Sequence, residues 1–175
     1  LPPVLDIAHR GASKLAPEHS FAAYELALRQ GAHVLELDLR LLRDGQLVIA
    51  HDRTLERTLG IETAFAELTR AELEKIARDH MPLGLEQVFG RFPRARFNLE
   101  LKDETLEAPR ALASALMSAS EVQGQSGSDV AGRVLVASSH RPVLEEFRRL
   151  TAGAVATSAS AGEALDYYVC QLMKR

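Results

Sequence analysis

The sequence predicts an α/β domain built on a parallel sheet, and three observations predict it. Short apolar runs such as Leu5-Asp6-Ile7-Ala8 and Val134-Leu135-Val136-Ala137 have the length of strands. They alternate along the chain with segments whose apolar residues recur every three or four positions, as in Phe21 to Gln30 and Arg141 to Leu150. Polar and titratable residues (His9, Arg10, His51, Lys102, His140) stand where the strands end. Strands and helices in alternation give parallel sheets with right-handed crossovers. In such sheets chemistry gathers at the strand C-termini.

The first strand, ending at Ala8, runs into His9-Arg10-Gly11, where Gly11 permits a sharp turn. A loop from Ala12 to His19 leads to Ser20, an N-cap for the helix Phe21 to Gln30, with Gly31 as its stop. Val34 to Asp52 reads as two strands around an Asp44-Gly45 turn. Within it Glu36 and Asp38 alternate with Leu35, Leu37 and Leu39, so both carboxylates share one strand face. Arg53 to Thr63 is polar and irregular. Thr69 to Glu72 is a capping box opening a short helix, and Leu83 to Phe92 reads as another helix. Arg96 to Lys102 alternates with period two and puts Asn98, Glu100 and Lys102 on one face. Pro109 to Ala119 is helical, and Gln123 to Gly132 is a Gly/Ser loop. A weak strand, Ala154 to Ser158, precedes a second capping box at Ser160 to Glu163. That box opens a helix with Leu165, Tyr168, Val169, Leu172 and Met173 on its apolar face.

A chain of 175 residues with 46% apolar composition can bury a real core. The net charge of −3 gives no bulk attraction for nucleic acid or an anionic membrane surface, so neither is expected as a partner. The single cysteine, Cys170, forms no internal disulfide and is expected to be a small core residue. No apolar run is long enough for a membrane-spanning helix, and no signal peptide is visible. A cytoplasmic location is therefore expected, although a chain that opens on Leu1 leaves a trimmed N-terminus open.

The chemistry follows from residue type. Glu36, Asp38 and Glu100 are carboxylates on strand faces, and bringing them together creates repulsion that a cation must offset. Oxygen-only ligation suits a hard divalent ion, Ca²⁺ or Mg²⁺. His9 and His51 are suited to moving protons near neutral pH, one deprotonating a nucleophile while the other protonates a leaving oxygen. Arg10 and Lys102 can bind phosphate oxygens. Together these describe metal-assisted cleavage of a phosphate ester.

The motifs I-A-H-R-G-A, P-E-H-S, L-E-L-D-L, D-G-Q-L-V-I-A-H-D, L-E-R-T and N-L-E-L-K, in this order from Ile7 to Lys102, resemble the signature series of glycerophosphodiester phosphodiesterases. The resemblance implies a (β/α)8 TIM-type barrel with a small insertion after the second strand, here residues 53–81. It implies hydrolysis of glycerophosphodiesters to an alcohol and glycerol 3-phosphate. By position, His9 and His51 match the acid–base pair, and Glu36, Asp38 and Glu100 match the divalent-metal ligands. Arg10 and Lys102 match the phosphate contacts, and Glu18 matches the P-E-N-T segment beside them. Lysophospholipase D-like and sphingomyelinase D-like enzymes resemble the same pattern, and a catalytically silent binding module is the alternative outside enzymes. A homo-oligomer is compatible with all of these. His19 and Ser20 depart from the usual Asn and Thr, and His140 stands where a small acidic or amide residue is usual. About five βα units are counted in one domain, residues 1–175, where a barrel needs eight, and the chain has no tryptophan for the later W-T-V-N segment. The barrel is therefore expected to lack its C-terminal part.

Overall fold

The computed structural model describes residues 4–122 and 131–173, and for residues 120–122 the backbone alone. The expected Gly/Ser loop lies mostly outside the described residues. Among the described residues the main sheet has six strands. Five are parallel and run in the order β1 (Ile7–Ala8), β2 (Val34–Leu41), β6 (Arg96–Leu101), β7 (Val134–Ala137) and β8 (Ala156–Thr157). The sixth, β3 (Leu47–Ile49), pairs antiparallel with β2 as the hairpin the Asp44-Gly45 turn predicts. Gly45 sits at φ +81°, a conformation other residues rarely adopt. Such a parallel sheet, interleaved with helices, is an arc of a (β/α) barrel.

β2 is the spine. Every residue from Val34 to Leu39 is buried, as expected of a strand covered on both faces. Leu35, Leu37 and Leu39 point into the main core with Phe97, Leu99 and Leu101 of β6. Each fully buried leucine contributes roughly 1.5–3 kcal/mol of transfer free energy. That face is closed by α4 (Leu85–Arg91), α5 (Glu107–Val122) and α6 (Arg141–Leu150) through Val88, Leu112 and Phe147. The opposite face of β2 carries Glu36 and Asp38.

α1 (Phe21–Arg29) begins where Ser20 accepts the Ala23 N–H at 3.1 Å. Its buried face is Ala23, Tyr24 and Ala27. Ala23 lets the β1–α1 loop pack directly on the helix: Ala12 N–H donates to its carbonyl at 3.0 Å. A Cβ on Gly11 would lie 2.8 Å from the Ala23 backbone, so glycine is required there by space as well as by its φ of +76°.

The stretch from Arg53 to Thr63, irregular by sequence, is ordered by α2 (Glu56–Leu59) within a small second sheet, β4 (Thr54–Leu55) against β5 (Ile61–Ala64). With α3 (Arg70–Ala77) it builds a separate core from Leu55, Phe65, Leu68, Leu73 and Ala77, resting on Leu42 and Val48 of the hairpin. Strands of two and four residues are too short to show a period, which is why the sequence did not reveal them.

α7 (Ala161–Met173) forms where predicted, and Ser160 and Glu163 make the expected capping box. Its apolar residues are not core: Leu165, Tyr168, Val169, Leu172 and Met173 are all exposed, and so is Cys170. Periodicity marked the face correctly, but no described element covers it.

Candidate active site

In-register parallel pairing builds the site. β2 and β6 pair Glu36 with Asn98 and Asp38 with Glu100. Asp38 and Glu100 are therefore neighbours across the ladder, with Glu36 one pleat behind on the same face. One carboxylate oxygen from each of Glu36, Asp38 and Glu100 falls within 4.8 Å of the others. Glu36 and Asp38 are buried, and Glu100 is half-buried.

Two cations are drawn onto this cluster. The Arg10 guanidinium Nε lies 3.3 Å from Asp38 Oδ2, and the Lys102 ammonium is 3.3 Å from Asp38 Oδ1 and 3.1 Å from Glu100. The Arg10 backbone N–H donates to Glu36 Oε2 at 2.8 Å. Among the described residues Glu36 Oε1 and Asn98 Oδ1, on the same face, are buried without a hydrogen-bond donor, and Asp38 Oδ1 has its ion pair with Lys102 but no hydrogen bond. Burial, then the neighbouring Asp38 charge, pushes the Glu36 carboxyl up to about 7. Burial alone would raise Asp38 too, but the hydrogen bond with His19 and the charge of Lys102 hold it well below the usual carboxylate range. At this spacing two carboxylates repel by roughly 3–4 kcal/mol at an effective dielectric of about 20. Arg10 and Lys102 balance Asp38 and leave Glu36 uncompensated. Three converging carboxylates, one with an orphaned buried oxygen, fit a hard divalent cation.

The β1–α1 loop delivers the remaining groups. Both of its ends hold non-glycine residues in the left-handed region, Arg10 at φ +57° and His19 at φ +55°. Each costs of order 1 kcal/mol or more, and the His19 N–H to Arg10 carbonyl bond of 3.1 Å ties them together. Glu18 accepts from Arg10 at 3.3 Å and pairs with Arg57 of α2. Arg57 also pairs with Asp52, whose other oxygen meets His51 Nδ1 at 2.8 Å. A continuous chain of ionic contacts thus runs from His51 to the acid cluster. Arg57 received no role by sequence, although it lies in the quoted L-E-R-T motif.

The structure brings Glu36, Asp38, Glu100, Arg10, Lys102 and Glu18 into one contact network and joins His51 to it through Asp52 and Arg57. His9 directly follows β1 and lines a different cleft from His51, with Ala12, Lys14 and Gln30. Its ring is exposed and makes no hydrogen bond among the described residues, and its carbonyl accepts from Ser13. His140 lies near Glu104 at 3.6 Å and has no contact with the cluster among the described residues. A cleft of about 680 Å³ opens beside the network, lined by Glu18, His51 and Arg57 and also by Phe21, Phe65 and Met81.

The model of the glycerophosphoryl diester phosphodiesterase family matches residues 9–125, and the chain belongs to that family. A Mycobacterium tuberculosis protein bearing the name "Probable glycerophosphodiester phosphodiesterase 1" is 50% identical over 70 residues, covering 40% of this chain and 26% of its own. A glycerophosphodiester phosphodiesterase of Bacillus altitudinis is 32% identical over 156 residues, covering 82% of this chain and 61% of its own. Among solved structures, a phosphodiesterase of Oleispira antarctica in complex with the product sn-glycerol-3-phosphate is 25% identical with a TM-score of 0.65, covering 88% of this chain and 64% of that one. The chain thus spans between about a quarter and three fifths of these curated relatives' length. The parallel strands belong to a TIM-type barrel, as the resemblance implied.

Proposed function

We propose that the chain carries the catalytic face of a glycerophosphodiester phosphodiesterase, splitting its substrate into an alcohol and glycerol 3-phosphate. The observation that carries this reading is the convergence of Glu36, Asp38 and Glu100, with Glu36 Oε1 orphaned, beside Arg10, Lys102 and His51. In this reading residues 1–175 are one barrel domain and residues 53–81 are an insertion that walls the cleft.

Glu36, Asp38 and Glu100 would hold Ca²⁺ or Mg²⁺, which when bound offsets charge on the phosphoryl oxygens. Arg10 and Lys102, at the same cluster, orient the phosphodiester and add positive charge. His9 accepts the proton of the attacking oxygen as its bond to phosphorus forms. His51 gives a proton to the departing alcohol oxygen as the old phosphorus–oxygen bond breaks. Asp52 engages Nδ1 of His51, which leaves Nε2 for this transfer. Since His51 lines the cleft, the alcohol lies there. The walls at Phe21, Phe65 and Met81 favour a second reading, an acyl-bearing lysophospholipid as substrate.

The test compares the chain with His51→Ala and Glu100→Gln, using glycerophosphocholine and lysophosphatidylcholine. Loss of turnover in both variants is expected, with the His51→Ala unfolding temperature within a few degrees of the parent because that side chain is not core. Wild-type rates in either variant contradict its role. A faster reaction with the lysolipid selects the second reading.

A further inference from the structure

We propose that Tyr24 and His19 form a positioning relay that fixes the Asp38 carboxylate for the cation. The inference rests on the reading of Glu36, Asp38 and Glu100 as cation ligands and adds residues that this reading does not use.

His19 is buried, and its two ring nitrogens are both engaged: Nε2 lies 2.9 Å from Asp38 Oδ2 and Nδ1 lies 2.8 Å from the Tyr24 hydroxyl. Tyr24 is fully buried in α1, and His19 Nδ1 is the hydroxyl's partner among the described residues. Proton accounting gives the direction. The Asp38 carboxylate only accepts, so His19 must donate from Nε2. The Tyr24 O–H then donates to Nδ1, and each donor in the line has an acceptor. If the ring carried its proton on Nδ1 instead, Nε2 and Asp38 Oδ2 would face each other as two buried acceptors with no proton between them. The Nε2–H tautomer is the one that satisfies the line.

The consequence falls on Asp38. His19 and Arg10 both engage Oδ2, so the carboxylate cannot rotate freely and Oδ1 stays against Lys102, whose ammonium also meets Glu100. Residues that hold a ligand in this way typically tune metal affinity by 10–100-fold when removed. The left-handed backbone at His19 agrees with such a demand, because strain persists where the surrounding contacts require it.

Two measurements test the relay. Long-range proton–nitrogen spectra of the full chain report which nitrogen of His19 carries the proton. Calorimetric titration with Mg²⁺ and with Ca²⁺ reports affinity in the parent, in Tyr24→Phe and in His19→Asn. The expected results are a proton on Nε2 in the parent and affinity about ten-fold weaker in Tyr24→Phe, which removes one oxygen and keeps the ring packing. His19→Asn should weaken binding at least as much. A proton on Nδ1, or Tyr24→Phe affinity equal to that of the parent, overturns the relay while leaving the cation ligands standing. A parent that binds neither ion overturns the reading beneath it, and the relay's purpose with it.

Discussion

Arg40 sits on β2 between Leu39 and Leu41, and its guanidinium reaches past the hairpin to the chain that follows β3. It donates to the carbonyl of His51 at 2.7 and 3.2 Å, to that of Asp52 at 3.1 Å, and to Asp103 Oδ1 at 2.9 Å. Asp103 in turn accepts the Leu41 N–H at 2.7 Å. One side chain therefore locks the backbone that presents His51 to the loop that follows Lys102. Arg40→Met keeps the apolar stem but leaves these carbonyls and Asp103 unmatched. A misplacement of about 1 Å can cost about 100-fold in rate, so kcat should fall roughly 10–100-fold while KM changes little, as steady-state kinetics would show. An unchanged kcat would mean that His51 does not depend on this clamp. Arg40 was not legible in the sequence. On an alternating strand an arginine reads as a solvated face, and the pattern does not say which carbonyls the hairpin will bring back to it. His9, His51 and the carboxylates could be singled out in the sequence because their residue types already suggest a chemistry.

Helix starts were the most legible elements, because a cap is settled within four residues. Thr69 accepts the Glu72 N–H while Glu72 accepts the Thr69 N–H at 2.8 Å. Those hydrogen bonds from Thr69, with Arg43, pull the Glu72 carboxyl down to about 2 from its ordinary 4.5. A carboxyl lowered by folding contributes stability that is complete above about pH 4.5 and is lost as pH falls through about 2. Glu72→Gln keeps the capping shape without the charge. Its thermal midpoint should lie below the parent's near neutral pH and meet it near pH 2. A gap that stays constant over that range would show that Glu72 acts by shape alone. The Glu163 box at α7 is held at about 2 in the same way, by Arg148 and Ser160. What local rules did not give was burial: α7 has the period of a packed helix and yet exposes its apolar face. Periodicity says which residues share a side, not whether a neighbour exists to cover them.

At the scale of the molecule, the site is made by register rather than by proximity in sequence. Glu36 and Asp38 could be placed on one strand face from alternation alone, and Glu100 on another. Only the parallel pairing of β2 with β6 sets Asp38 opposite Glu100, and nothing in either strand's own pattern dictates that pairing. The family resemblance implied that the three carboxylates serve one metal, and this pairing is what brings them together. Of the smaller core between β3 and α4, the helix that carries Leu73 was predicted from its capping box. Arg53 to Thr63 was read as irregular chain, yet that stretch supplies Leu55 to the core and Arg57 to the cleft. The measurement that bears most directly on the whole account is release of glycerol 3-phosphate from glycerophosphocholine by the 175-residue chain with Ca²⁺ or Mg²⁺, before and after a chelator. The account predicts turnover that the chelator abolishes and that added ion restores. Turnover that persists in excess chelator would contradict it, because the acid cluster would then be working without the cation it is shaped to hold.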